Sequence, residues 1–196
     1  MGTTAKREAT YEDLYRIPEH MTGEIIDGEL IVTPRPARRH AEAASSLGGE
    51  LVPPYRFGRG GPGGWLIYDE PEIHLGKHVL VPDLGGWKRE RLNTPPAEHR
   101  FMISPDWICE ILSPGTARID RIRKMRIYAE YGVPYAWIID PILMTLEVFQ
   151  LESGTWVIRG LHEGRERVRA EPFTEVEIGL ANLWMEEPPG DATEPG

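Results

Sequence analysis

The stretch DWICEIL, Asp106 to Leu112, constrains the chain most. Ile108, Cys109, Ile111 and Leu112 make it apolar on both faces, and a strand hidden on both faces belongs in the middle of a sheet. TARIDRIRKMRIYAEYG follows, from Thr116 to Gly132, with helical spacing of its apolar residues and Gly132 placed as a C-cap. PYAWIIDP, Pro134 to Pro141, reads as a second fully buried strand. Strand, helix and strand in this order form one crossover unit.

Hairpins are expected on either side of that unit. EIIDGELIVTP alternates around Asp27-Gly28, a strong hairpin signal. TLEVFQLESGTWVIRGL turns at Ser153-Gly154, and RVRAEPFTEVEI adds candidate edge strands. Between them, YEDLYRI reads as a short helix and RRHAEAASSLGGELV as a longer one weakened by Gly48 and Gly49. YRFGRGGPGG is a turn-rich loop without the Gly-Lys-Ser/Thr ending of a phosphate loop, so it carries no nucleotide role. GWLIYD, PEIHL and HVLVPDLGGW read as three strands, and KRERLNTPPAEHR as a polar loop. The architecture implied is α/β, with a mixed central β-sheet flanked by helices and additional hairpins.

A chain of 196 residues suits one domain with a proper core. Residues 1–10 read as a flexible N-terminus, 11–185 as the domain, and 186–196 as a disordered acidic tail rich in Pro, Glu and Gly. The net charge of -9 does not invite nucleic acid in bulk. Charge is uneven, however: Arg118, Arg121, Arg123, Lys124 and Arg126 crowd one helix. The single cysteine, Cys109, excludes an internal disulfide and a multi-cysteine zinc site. No apolar run approaches the ~18 residues of a membrane span, and the N-terminus lacks the apolar core of a signal peptide. A cytoplasmic protein is expected.

Two carboxylates interrupt runs that otherwise look like core: Asp83 in HVLVPDLGGW and Glu110 in DWICEIL. An isolated buried carboxylate is costly and usually protonates. A paired base, a bound cation or a position at the rim of the core offsets that cost, and for either acid alone the rim is the simplest reading. Together, two acids on neighbouring strands can share a hard cation such as Mg²⁺, and such an ion supports phosphodiester hydrolysis.

The pattern of Pro82-Asp83 followed by Glu110 resembles the PD-(D/E)xK nucleases. Over a longer reach, EIIDGELIVTPRPARRH, VPDL, SPDWICEILSPGTARIDRIRKMRIYAEYGVPYAWIIDP and LEVFQLESGTW are similar to the Uma-two family of restriction-endonuclease-like domains, many known only as a domain of unknown function. The resemblance covers roughly residues 11–185. It implies a restriction-endonuclease-like fold and a Mg²⁺- or Mn²⁺-dependent nuclease acting on DNA, with Asp83 and Glu110 as metal ligands. The chain departs from the pattern at Leu112, where the superfamily places lysine. Lys124 is the candidate substitute, since Asp120, Lys124 and Tyr128 lie at i, i+4 and i+8 of one helix face. The plainer reading of Asp120 and Lys124 is a solvated ion pair.

Other residues are secondary candidates. Glu24 and Glu29 flank the Asp-Gly turn; the resemblance allows a further acid there, whereas spacing favours a hairpin surface. His40 opens a helix and could touch phosphate or transfer a proton, although packing or capping is the commoner use. Glu70 and Glu72 are alternative ligands, with Glu72 and His74 on one strand face. Arg35, Arg38, Arg39, Arg118, Arg121, Arg123 and Arg126 are candidate phosphate contacts, or an ordinary solvated surface. The six tryptophans read as core or interface, Asp140 as a turn initiator and Cys109 as a buried thiol facing away from Glu110. A homodimer is plausible for cutting two strands. The rival reading is a catalytically silent module of the same fold that binds nucleic acid or a protein partner; Leu112 and the charge of -9 favour it.

Overall fold

The computed structural model describes residues 7–185; the expected acidic tail, 186–196, and residues 1–6 lie outside them. In chain order the elements begin with helix α1 (Tyr11–Leu14), strands β1 (Met21–Ile26) and β2 (Glu29–Pro34), and helix α2 (Arg38–Leu51), which runs into a π-turn at Val52–Arg56. Strands β3 (Trp65–Asp69), β4 (Glu72–Leu75), β5 (His78–Leu80), β6 (Leu84–Lys88), β7 (Arg100–Phe101) and β8 (Trp107–Ile111) follow. A π-helical segment (Ile119–Lys124) then leads into helix α3 (Met125–Glu130). Strands β9 (Tyr135–Asp140), β10 (Thr145–Glu152), β11 (Thr155–Glu163), β12 (Arg167–Ala170) and β13 (Phe173–Gly179) complete the chain before a short 3₁₀ turn.

The crossover unit is as the sequence predicts. β8 and β9 pair in parallel, with Cys109 opposite Trp137 and Glu110 opposite Ile138. Both are interior strands of a six-stranded mixed sheet ordered β11-β10-β9-β8-β6-β3, which is why both are apolar on two faces. Gly132 has φ +70, as the helix end requires. The Asp27-Gly28 and Ser153-Gly154 turns both have positive φ at the two central residues, the twist that suits a tight hairpin.

The expected mixed central sheet is present, and a second sheet and a ribbon accompany it. A five-stranded sheet, β2-β1-β5-β4-β7, stands beside the six-stranded one, and β12-β13 forms a separate pair instead of extending an edge. The run HVLVPDLGGW is divided between the two sheets: β5 belongs to the smaller and β6 to the larger. Pro82 has no N–H to give a ladder, so the strand breaks there. The loop KRERLNTPPAEHR yields a two-residue strand at its end, where Arg100 and Phe101 pair in parallel with β4.

Alternation along β8 divides the core. Trp107, Cys109 and Ile111 join α2 residues Ala43, Leu47 and Leu51 and the β12-β13 ribbon in one cluster. Ile108 and Leu112 join Met125, Ile127 and Tyr128 of the following helix, and Ile26, Ile73 and Leu80 of the smaller sheet, in the other. Cys109 therefore faces away from Glu110, as expected, and burial raises its thiol pKa well above the usual range. Five tryptophans are buried and Trp156 packs against the second cluster, so they are core residues. Asp140 Oδ1 accepts the Ile142 and Leu143 N–H groups at 2.9 and 3.0 Å, closing the expected turn.

Candidate active site

Asp83 lies just after the proline break, one residue before β6 begins. The antiparallel pairing of β6 with β8 sets Leu84 opposite Cys109, so the same register continued one step sets Asp83 beside Glu110. Asp83 Oδ2 accepts the Ile111 N–H at 2.6 Å, and Oδ1 is 3.0 Å from His40 Nε2. The two acids that the sequence singles out thus line one cavity of about 420 Å³, together with Glu24, His40, Asp120 and Lys124.

At the wall of this cavity Lys124 is 2% exposed and Glu110 2%. The lysine Nζ sits 2.9 Å from Glu110 Oε1 and from Oε2, 2.9 Å from Glu24 Oε1, 3.7 Å from Asp120 Oδ1, and 3.4 Å from the Val81 carbonyl. Tyr128 donates its hydroxyl to Glu110 Oε1 at 2.6 Å. The expected shared face of Asp120, Lys124 and Tyr128 is therefore present, although Asp120 and Lys124 sit in a π-helical turn and not in a regular α-helix. The plainer reading of a solvated pair is corrected: both side chains are buried.

The sequence spacing also misplaced Glu24. It is 8% exposed, and Glu24 Oε1 accepts the Val81 N–H at 2.8 Å as well as facing Lys124. A hairpin surface would have left it in water, but β5 pairs with β1 on the side away from β2 and closes over it. Glu29 stays at the rim, where Arg123 donates to it at 2.9 Å. Glu70 lines the cavity, while Glu72 bonds Tyr11 and His74 outside it. Of the arginines, Arg121 is engaged bidentately by Glu147 at 2.9 and 2.7 Å, and Arg126 by Asp27 at 2.7 and 2.8 Å. Arg38 and Arg118 are exposed. Arg39 is half-buried, and Arg35 lines the cavity.

Four carboxylates, Glu24, Asp83, Glu110 and Asp120, face one lysine and one histidine. The electrostatic consequence is an excess of negative charge. Burial, with Asp120, Asp83 and Glu24 adding to it, raises the Glu110 pKa well above the carboxylate range against the opposing pull of Lys124. Burial likewise raises Asp120. For Lys124 burial disfavours the charge, yet Glu110, Glu24, Tyr128 and Asp120 outweigh it and hold the ammonium well above its usual pKa. Burial opposes protonation of His40 too, but Asp83 prevails and raises it. Both members of the Glu110–Lys124 pair move up because the surplus of acids retains protons in the cluster.

Carboxylate oxygens are the hard donors that Mg²⁺ and Mn²⁺ take, and the surplus negative charge is what a divalent ion would neutralise. No group of three or more His, Cys, Asp or Glu among the described residues is arranged to surround an ion. Asp83 and Glu110 are the carboxylates that would hold such an ion, which keeps waters in its remaining positions.

A family model described as "Putative restriction endonuclease", Uma2, matches residues 9–182. The chain belongs to the Uma2 family. Its fold is restriction-endonuclease-like, mixed α/β. The crystal structure of a "putative nuclease belonging to DUF820" from Anabaena variabilis ATCC 29413 is similar, with a TM-score of 0.68, 22% identity, and coverage of 90% of this chain and 97% of that one. No curated protein matches. No helix among the described residues is long and apolar enough to cross a membrane.

Proposed function

We propose that this protein is a Mg²⁺- or Mn²⁺-dependent nuclease that hydrolyses phosphodiester bonds in DNA. The observation that carries the reading is the meeting of Asp83 and Glu110 beside a buried, charged Lys124 in one open cavity. Asp83 and Glu110 would hold the ion, which supplies charge neutralisation at the phosphate and an activated water. The Ile111 N–H and His40 Nε2 fix the two oxygens of Asp83, and Tyr128 fixes Glu110.

Lys124 is not a base in this arrangement. Its N–H donors face Glu110, Glu24 and the Val81 carbonyl, and its neighbours keep it protonated. It serves as a fixed positive charge close to where the pentavalent phosphorus would carry extra negative charge. Water oxygen bonds to phosphorus, the bond to the leaving oxygen breaks, and a proton passes to that oxygen; no covalent enzyme intermediate is required.

The test is plasmid nicking with and without Mn²⁺, beside Mn²⁺ calorimetry. Wild type is expected to nick only with the metal, and Asp83→Asn and Glu110→Gln to lose at least a hundredfold in rate and most of the heat of metal binding while remaining folded by circular dichroism. Equal Mn²⁺ binding by wild type and Glu110→Gln overturns the reading. Leu112, buried where the superfamily has lysine, favours the second reading of a silent binding module, which predicts strand binding without nicking under any metal.

A further inference from the structure

Arg35 is where two cavities meet. The first is the one just described; the second, of about 690 Å³, opens beside it and shares Thr22, Arg35, Glu70 and Val81 as walls. Arg35 is the one arginine lining either cavity among the described residues. The second cavity is acidic, with Glu19, Asp69, Glu72 and Glu98 on its walls in addition to Glu70. With acids on the walls of both cavities, the Arg35 guanidinium at their junction is the exposed cation an anionic strand can meet there.

The pairing of Arg35 is loose. Its Nη1 is 3.3 Å from Glu70 Oε2 and its Nη2 3.4 Å from the Glu19 carbonyl, with side-chain exposures of 58% for Arg35 and 41% for Glu70. Settled guanidinium–carboxylate bonds in the same protein are shorter, as for Arg91 with Asp106 at 2.7 Å. An exposed pair of this kind contributes little to the fold and is easily exchanged.

Glu70 itself is held at a cost. Its φ is +44, in the left-handed region where glycine or asparagine would sit with less strain. Its N–H donates to the Asp83 carbonyl at 3.0 Å, so the backbone that presents Glu70 is tied to the segment bearing the candidate metal ligand. A carboxylate kept in an unfavourable conformation, loosely covering a single guanidinium at the mouth of the site, points to exchange and not to support.

We infer that Arg35 is the phosphate-receiving group of the substrate strand and that Glu70 occupies it until a phosphate displaces it. The inference rests on the nuclease reading, with nucleic acid as the ligand of this cavity. Its consequence is a restraint on non-specific binding: a phosphate must compete with a built-in carboxylate before it reaches Asp83 and Glu110.

The experiment is fluorescence anisotropy with a labelled single strand of twelve nucleotides and with the matching duplex, in Ca²⁺, with strand integrity checked on a gel. Arg35→Ala is expected to weaken binding about tenfold and to reduce the slope of log affinity against log salt by about 0.7 to 1. Glu70→Gln is expected to tighten binding two- to threefold, and to have no effect in the Arg35→Ala background, which isolates the pair. Arg35→Lys keeps the charge and should recover part of the loss. Thermal unfolding of each variant reports whether the fold is intact. If wild type binds and Arg35→Ala keeps both the affinity and the salt slope, this inference is overturned while the nuclease reading stands. If Glu70→Gln binds no tighter than wild type, the displacement is overturned. Should wild type bind neither strand, the nuclease reading fails, and this inference with it.

Discussion

Lys124 and Glu110 divide the work of one buried cluster. A lone lysine at that depth would give up its proton; here the surrounding acids keep it charged, and removal of Lys124 would leave Glu110 a buried carboxyl without its cation, whereas removal of Glu110 leaves Lys124 its Glu24 partner at 2.9 Å. His78 shows the opposite case. Its Nδ1 accepts the Asp27 N–H at 3.1 Å, and burial lowers its pKa below 6.5. The folded state therefore prefers neutral His78 and the unfolded chain binds the proton more readily. The stability it contributes is complete above the unfolded value near 6.5 and shrinks as pH falls below that value. Urea unfolding at pH 8 and pH 5.5 should show a smaller loss for His78→Gln than for wild type; an equal loss would remove His78 as the cause. At this scale the burial of Asp83 and Glu110 was legible in the sequence, because charges stand out in apolar runs; Lys124 was reached only through the resemblance and the helix face it shares with Asp120 and Tyr128. The burial of Glu24 was not legible, since it is imposed by β5, a strand remote in sequence.

Among the elements, the crossover unit was readable because both of its strands are apolar on two faces and a helix with its own C-cap separates them. The division into two sheets was not. The run from His78 to Lys88 looks like one strand, and only the missing N–H of Pro82 hints that it changes partner. The ribbon of β12 and β13 also read as an edge, whereas Phe173 plugs the core. Its ring lies 4.6 Å from Tyr55, 4.9 Å from Trp65 and from Trp107, and 5.6 Å from Trp137, centre to centre. Phe173→Ala should cost about 3–5 kcal/mol in chemical unfolding, a loss that an ornamental ribbon would not produce.

For the molecule as a whole, the charge of -9 sets how nucleic acid can be held. Most helix arginines are already spent on Glu147, Glu29 and Asp27. Arg38 and Arg118 are exposed and have no carboxylate partner among the described residues. With Arg35 they are the site's own cations for phosphate, and if these three alone make the contacts the log–log slope of duplex binding against salt should be no steeper than about -3. Binding measured from 50 to 200 mM salt checks this; a slope near -6 would mean that cations beyond Arg35, Arg38 and Arg118 join the contact. The hand-over at Val81, Pro82 and Asp83 has a mechanical meaning as well. Three residues join β5 of the smaller sheet to β6 of the larger, and the last of them is a candidate ligand whose carboxylate also accepts the Ile111 N–H of the larger sheet. Gripping an ion would therefore stiffen the whole joint, and amide exchange at the Val81 and Ile111 N–H groups would slow together.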